Sequence, residues 1–141
     1  YGDDVTRLGE EAGGGYRVGS LTSDLADQLQ SALGPGQQGR VTMGVGIAED
    51  EGKLVTLIGT SEPGGYIRPS VKPLVEQLEA RGAIVVLGTG HAEANIVNYA
   101  IANEMRLIEV AAGRPICEVC EELIRAAGAL VGSSTLSGSV P

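Results

Sequence analysis

The sequence predicts an α/β domain, and two observations carry the prediction. Apolar residues recur at helical period in some segments and form short β-rich runs in others. The two kinds alternate along most of the chain, punctuated by Gly, Pro and acidic clusters that favour turns. A length of 141 residues allows one domain with a substantial core, which must be aliphatic because the chain has no Phe or Trp and only four Tyr.

Residues 1–18 are rich in Gly and acid, lack periodicity and read as a loose N-terminal arm. The domain proper is expected over residues 19–131, with 132–141 a small, polar, flexible tail. Ser23 and Asp24 can cap a first helix that ends near Leu33, with Leu25, Leu29 and Leu33 on one face and Gly34-Pro35-Gly36 as its stop. Residues 40–48 and 53–60 are two strands joined across Glu49-Asp50-Glu51-Gly52. A helix over 70–80 turns Val71, Leu74, Val75 and Leu78 inward, and a strand over 83–87 follows. Gly88-Thr89-Gly90 breaks that strand, and helical period resumes over 91–103. A strand at 106–111, a helix at 117–127 and a short strand at 129–131 complete the order. In the last helix Pro115 suits the first turn, and Val119, Leu123 and Ile124 are spaced for one buried face.

Charge and composition narrow the function. No stretch approaches the ~20 apolar residues of a membrane span and no signal peptide precedes the first predicted helix, so no membrane partner is expected. The chain starts at Tyr1 without Met, as a domain cut from a longer polypeptide would. With 18 acidic against 10 basic side chains, the formal charge of −8 repels nucleic acid at long range. Any nucleic-acid contact then needs a local cluster such as Arg68, Lys72 and Arg114.

The chemistry is concentrated in two short strings. The one histidine, His91, stands two residues before Glu93, and the two cysteines lie downstream in Pro115-Ile116-Cys117-Glu118-Val119-Cys120. One imidazole and two thiolates can hold Zn²⁺ with a fourth position open for water, and a carboxylate that is not a ligand can move protons. Thiolates three apart at a helix start point the same way, near the positive end of the helix dipole. A C-x-x-C pair by itself serves a redox disulfide or half of a structural zinc site equally well. A structural zinc closes with four protein ligands, and no further Cys or His is present. Glu93 as a ligand is the remaining way to close such a site.

An H-x-E string followed by a P-C-x-x-C string is the signature of zinc-dependent nucleobase deaminases. With its element order, the chain resembles the cytidine deaminase-like superfamily over roughly residues 20–131, with helices packed on a central mixed sheet. The resemblance thus implies a three-layer α/β/α fold. Gly-Thr-Gly-His-Ala-Glu-Ala-Asn-Ile and Gly-Arg-Pro-Ile-Cys-Glu-Val-Cys are most similar to deaminase domains of bacterial polymorphic toxins, which include secreted DNA cytosine deaminases. Ile116 is a departure, since many relatives place Pro and Cys side by side.

The resemblance implies that His91, Cys117 and Cys120 bind zinc while Glu93 shuttles protons as cytosine becomes uracil. It implies a substrate in nucleic acid, with DNA ahead of RNA. It also implies secretion as part of a larger toxin, action in the target-cell cytoplasm and a cognate immunity protein as partner. In that fold the connection after the second strand lies near the mouth of the site, which makes Ser61, Tyr66 and Arg68 candidate substrate contacts. Tyr66 can stack on a base and Arg68 can meet a phosphate. The backbone N–H groups near Ala92 and Cys117 are candidate contacts to the base. Arg114, beside the cysteine motif, is a candidate for phosphate, whereas Asn95 reads as a polar helix position. The alternatives are a deaminase of free nucleosides or nucleobases, which needs no electrostatic footprint, and a zinc-binding interaction domain without turnover.

Overall fold

Leu21, Leu25 and Leu29 recur every four residues and are buried, which fixes the inward face of helix α1 (Val18–Ala32), and Leu33 just past its end is buried too. The computed structural model describes residues 18–138, so most of the expected N-terminal arm and the last three residues of the expected tail fall outside the described residues. Helix α1 starts upstream of Ser23 and Asp24, which lie within it rather than capping it. Burial of Leu21 and Thr22 extends the packed face past the expected start.

Strands β1 (Met43–Asp50) and β2 (Lys53–Thr60) form an antiparallel hairpin paired through Asp50 and Lys53. Its two turn residues, Glu51 and Gly52, have φ of 52° and 83°, the left-handed backbone that a tight hairpin turn requires. A short 3-10 turn (Pro63–Gly65) precedes helix α2 (Lys72–Ala80), whose Val75 and Leu78 are buried. Strand β3 (Ile84–Val85) is followed by helix α3 (Ala92–Ala102), strand β4 (Arg106–Ala112), helix α4 (Glu118–Ala126) and strand β5 (Leu130–Val131).

Among the described residues the strands form one five-stranded mixed sheet in the order β3-β2-β1-β4-β5. The central pairs are antiparallel, and β3 and β5 join as parallel edges. Side-chain alternation along β1 assigns the two faces: Met43, Val45 and Ile47 meet the core beneath α1 and α2, while Ala48 joins the core beneath α3 and α4. The fold is therefore three-layered, α/β/α, around a mixed sheet. A shift of register between Ile47 and Ala48 sets both Ile108 and Glu109 toward the α1 side, where Thr22 donates its hydroxyl hydrogen to buried Glu109.

Two local expectations need correction. Helix α4 buries Cys120 and Ile124, one turn apart, and leaves Val119 66% and Leu123 37% exposed. Turning Cys120 inward rotates Val119 and Leu123 away, because each residue advances the helix by about 100°. Pro115 lies outside the helix, whose N-cap is Cys117.

The segment after β5 is hydrogen-bonded to the domain over residues 133–137. Ile116 is fully buried; its N–H donates to the Ser134 carbonyl and its own carbonyl accepts from Leu136. Ser133 Oγ accepts the Ala112 N–H, and Ser137 Oγ donates to Glu121 at 2.8 Å. The residue that separates Pro115 from Cys117 thus anchors residues 133–137 beside the cysteine motif.

Candidate metal centre and its cleft

His91 is the N-cap of α3 and Cys117 the N-cap of α4, so two helix starts face each other with their ligand atoms between them. Cys117 Sγ lies 3.6 Å from His91 Nδ1. The ligand atoms of His91, Cys117 and Cys120 all fall within 4.8 Å of one another. Metal–sulfur and metal–nitrogen bonds of about 2.3 and 2.0 Å in a tetrahedron separate S and N by about 3.6 Å, so these three residues fit a metal ion.

Without a cation, the surroundings keep Cys120 protonated. Burial, then the Glu93 charge and the Cys117 thiol, push the Cys120 thiol up to about 12, opposed by the Ala94 N–H. A buried thiol so placed becomes a thiolate when a cation arrives to balance it. Glu93, in the first turn of α3, is buried yet lines the adjoining cleft. Burial pushes its carboxyl above the usual carboxylate range, against the pull of its own backbone N–H and of the His91 and Arg114 charges. A carboxyl of this kind is suited to taking up and returning a proton.

The height of α3 above the sheet is set by small residues. The backbone of β1 and β2 meets the helix through Gly44, Gly46 and Gly59, where a Cβ would collide with or crowd Ala92 or Ile96. Asn95 reaches from α3 to the Thr60 carbonyl and packs beneath Gly88, so it ties the helix start to the end of β2. It is a buried positioning residue, more than a polar helix position.

The cleft beside the ligands has a volume of about 460 Å³ and is lined by His91, Glu93 and Cys117 together with Arg40, Thr42, Ser61, Gly90, Arg114, Pro115 and Leu136. Of the expected substrate contacts, Ser61 and Arg114 line it. Ala92 is fully buried under its floor, against Gly44 and Gly59. Tyr66 and Arg68 do not line the cleft: Arg68 pairs with Glu62 at 3.2 Å and stands over the Tyr66 ring at 5.9 Å from its centre.

Arg40, Thr42 and Leu136 join the cleft without a signal in the local sequence. Buried Gln30 of α1 brings the first two there, donating to the carbonyls of Gln38 and Val41 and accepting the Met43 N–H. Thr42 donates its N–H to Ser61 Oγ, and its carbonyl accepts the Ser61 N–H. Leu136 arrives through the Ile116 pairing. No family model, curated protein or solved structure matches this chain.

Proposed function

We propose that this chain is a zinc-dependent hydrolytic deaminase that converts cytosine to uracil in nucleic acid, with DNA ahead of RNA. One observation carries the reading: two members of a His/Cys/Cys ligand set within 4.8 Å, His91 and Cys117, line one cleft with a buried carboxylate from the same helix turn as the histidine.

His91, Cys117 and Cys120 would hold zinc, leaving one position open in a tetrahedral set. Zinc bound there supplies Lewis acidity that makes a water nucleophilic at neutral pH. Glu93 would serve as base and acid: it would pass one proton from a water to the ring nitrogen and carry a second, from the hydroxyl added to the amino-bearing carbon, to the departing amine, so that water and cytosine give uracil and ammonia. Burial raises the Glu93 carboxyl above its ordinary value, the direction that favours taking up a proton.

The two strings around His91 and Cys117 are similar to those of bacterial toxin deaminases, and on that basis we assign secretion within a larger toxin, action in the target-cell cytoplasm and a cognate immunity protein. The formal charge of −8 favours a free nucleoside as the second reading. Incubation of the zinc-loaded domain with single- and double-stranded oligonucleotides, RNA and free cytidine, with uracil counted by mass spectrometry, separates the two. Uracil in an oligonucleotide, absent with Glu93→Ala, supports the proposal; turnover of free cytidine alone would replace it with the nucleoside reading.

A further inference from the structure

The described arginines divide into two groups. Arg68, Arg106 and Arg125 are each paired with a carboxylate, on Glu62, Glu49 and Glu121. Among the described residues Arg40, Arg81 and Arg114 have no carboxylate partner, and two of these three line the cleft that holds His91, Glu93 and Cys117. A chain with eight more acidic than basic side chains has ample carboxylate to neutralise them. Arg40 and Arg114 nonetheless stand at this wall without an ion pair, the Arg114 charge reaching Glu93 only at longer range across the cleft.

The surrounding groups are donors. Arg114 makes a single weak contact, 3.5 Å to Thr42 Oγ1, and so keeps most of its five N–H groups. Ser61 Oγ accepts the Thr42 N–H, which leaves its own hydroxyl hydrogen to donate. Arginine forks and hydroxyls match the tetrahedral oxygens of phosphate. The wall is also held in place: Gln30 fixes the chain on either side of Arg40, and Gly113, next to Arg114, packs so closely on Gln30 that a Cβ there would lie 2.3 Å from it.

We propose that Arg40, Thr42, Ser61 and Arg114 form a seat for the phosphate adjoining the base presented to Glu93, so that the substrate is a unit of a phosphodiester chain. This rests on the deaminase reading for the base, though the seat itself is defined by anion chemistry alone. It reconciles local phosphate recognition with an acidic surface: few contacts, formed at short range, give a shallow salt dependence.

The test uses a thymidine oligonucleotide, which carries phosphodiesters and no base to deaminate, titrated into the zinc-loaded protein by calorimetry at several salt concentrations. Arg40→Ala and Arg114→Ala should each weaken binding about 10-fold or more and each lower the magnitude of the salt slope by about 0.7, the single-strand value per phosphate contact. Arg81→Ala, which removes an unpaired arginine outside this cleft, should bind like the parent. Deoxycytidine 5′-phosphate, run in parallel, separates a terminal phosphate from a diester; equal arginine dependence with tighter binding than the oligonucleotide would overturn the chain assignment. Absence of oligonucleotide binding, or binding indifferent to Arg40 and Arg114, would overturn the seat. Arginine-dependent binding with no uracil formed from any substrate would retain the seat and reject the deaminase.

Discussion

A Cβ at position 59 would stand 2.7 Å from the carbonyl oxygen of Ala92, so Gly59 and Ala92 meet backbone to backbone where strand β2 passes under the first turn of α3. Gly59→Ala must lift that turn, and His91 and Glu93 with it, away from the thiols. The expected cost is about 1–3 kcal/mol of stability together with weaker metal binding. Gly36→Ala, where nothing lies within 4 Å of the added Cβ, serves as the control. Chemical denaturation and competition with a metal chelator read the two effects; a Gly59→Ala protein matching the parent in both would show that the close approach relaxes freely.

Metal analysis of the purified protein should give about one zinc per chain. Cys117→Ser should lower the zinc content and the melting temperature together, because the ion links the start of α3 to the start of α4. Stoichiometric zinc in a variant lacking both thiols would place the metal elsewhere.

The glutamate two residues beyond His91 should behave differently from the ligands. Glu93→Gln keeps the shape and leaves His91, Cys117 and Cys120 intact, so zinc should stay near one per chain. Turnover should fall by about 100-fold or more, since both proton transfers pass through this carboxyl. Loss of zinc on the same substitution would make Glu93 a ligand and the site structural.

The candidate metal site is legible because its residues are rare: the chain has one His and two Cys. Layering was legible too, since Leu25, Leu29 and Leu33 or Val75 and Leu78 follow a simple period. What escaped was set by contacts distant in sequence. Val119 and Leu123 fit an inward stripe by spacing, but Cys120 and Ile124 take the buried face instead. Tyr66 and Arg68 are expected at the mouth from the resemblance, which places the connection after the second strand there; instead Arg68 pairs with Glu62 and stands over the Tyr66 ring, outside the cleft. Arg40, Thr42 and Leu136 reach the cleft through Gln30, Ser61 and Ile116, pairings that no local pattern encodes.

Gln30 is the point at which that distant wall can be broken without touching it. Gln30→Leu removes one acceptor and two donors from buried ground, leaving the Val41 carbonyl and the Met43 N–H without partners. Each unpaired group costs about 1–3 kcal/mol, so a loss of about 3 kcal/mol in urea denaturation is expected. Oligonucleotide binding should fall with it, while zinc content should not, because the ligands sit on α3 and α4. Unchanged stability would mean that water or a neighbouring group replaces the amide.

Glu109 gives a pH signature independent of the site, since it faces α1 on the other side of the sheet. Burial pushes its carboxyl above the usual carboxylate range, and the hydrogen bond from Thr22 opposes that only in part. The folded protein therefore holds this proton more tightly than the unfolded chain does. Stability from this group is fully present below the unfolded carboxylate pKa and is lost as pH rises through the elevated folded value. Glu109→Gln cannot ionise and still offers an oxygen to the Thr22 hydroxyl. Its melting temperature should exceed the parent's by a few degrees at about pH 8, with the gap closing as pH falls toward about 4.5. A gap independent of pH, or one that widens in acid, would show that Glu109 is not the group whose proton uptake accompanies folding.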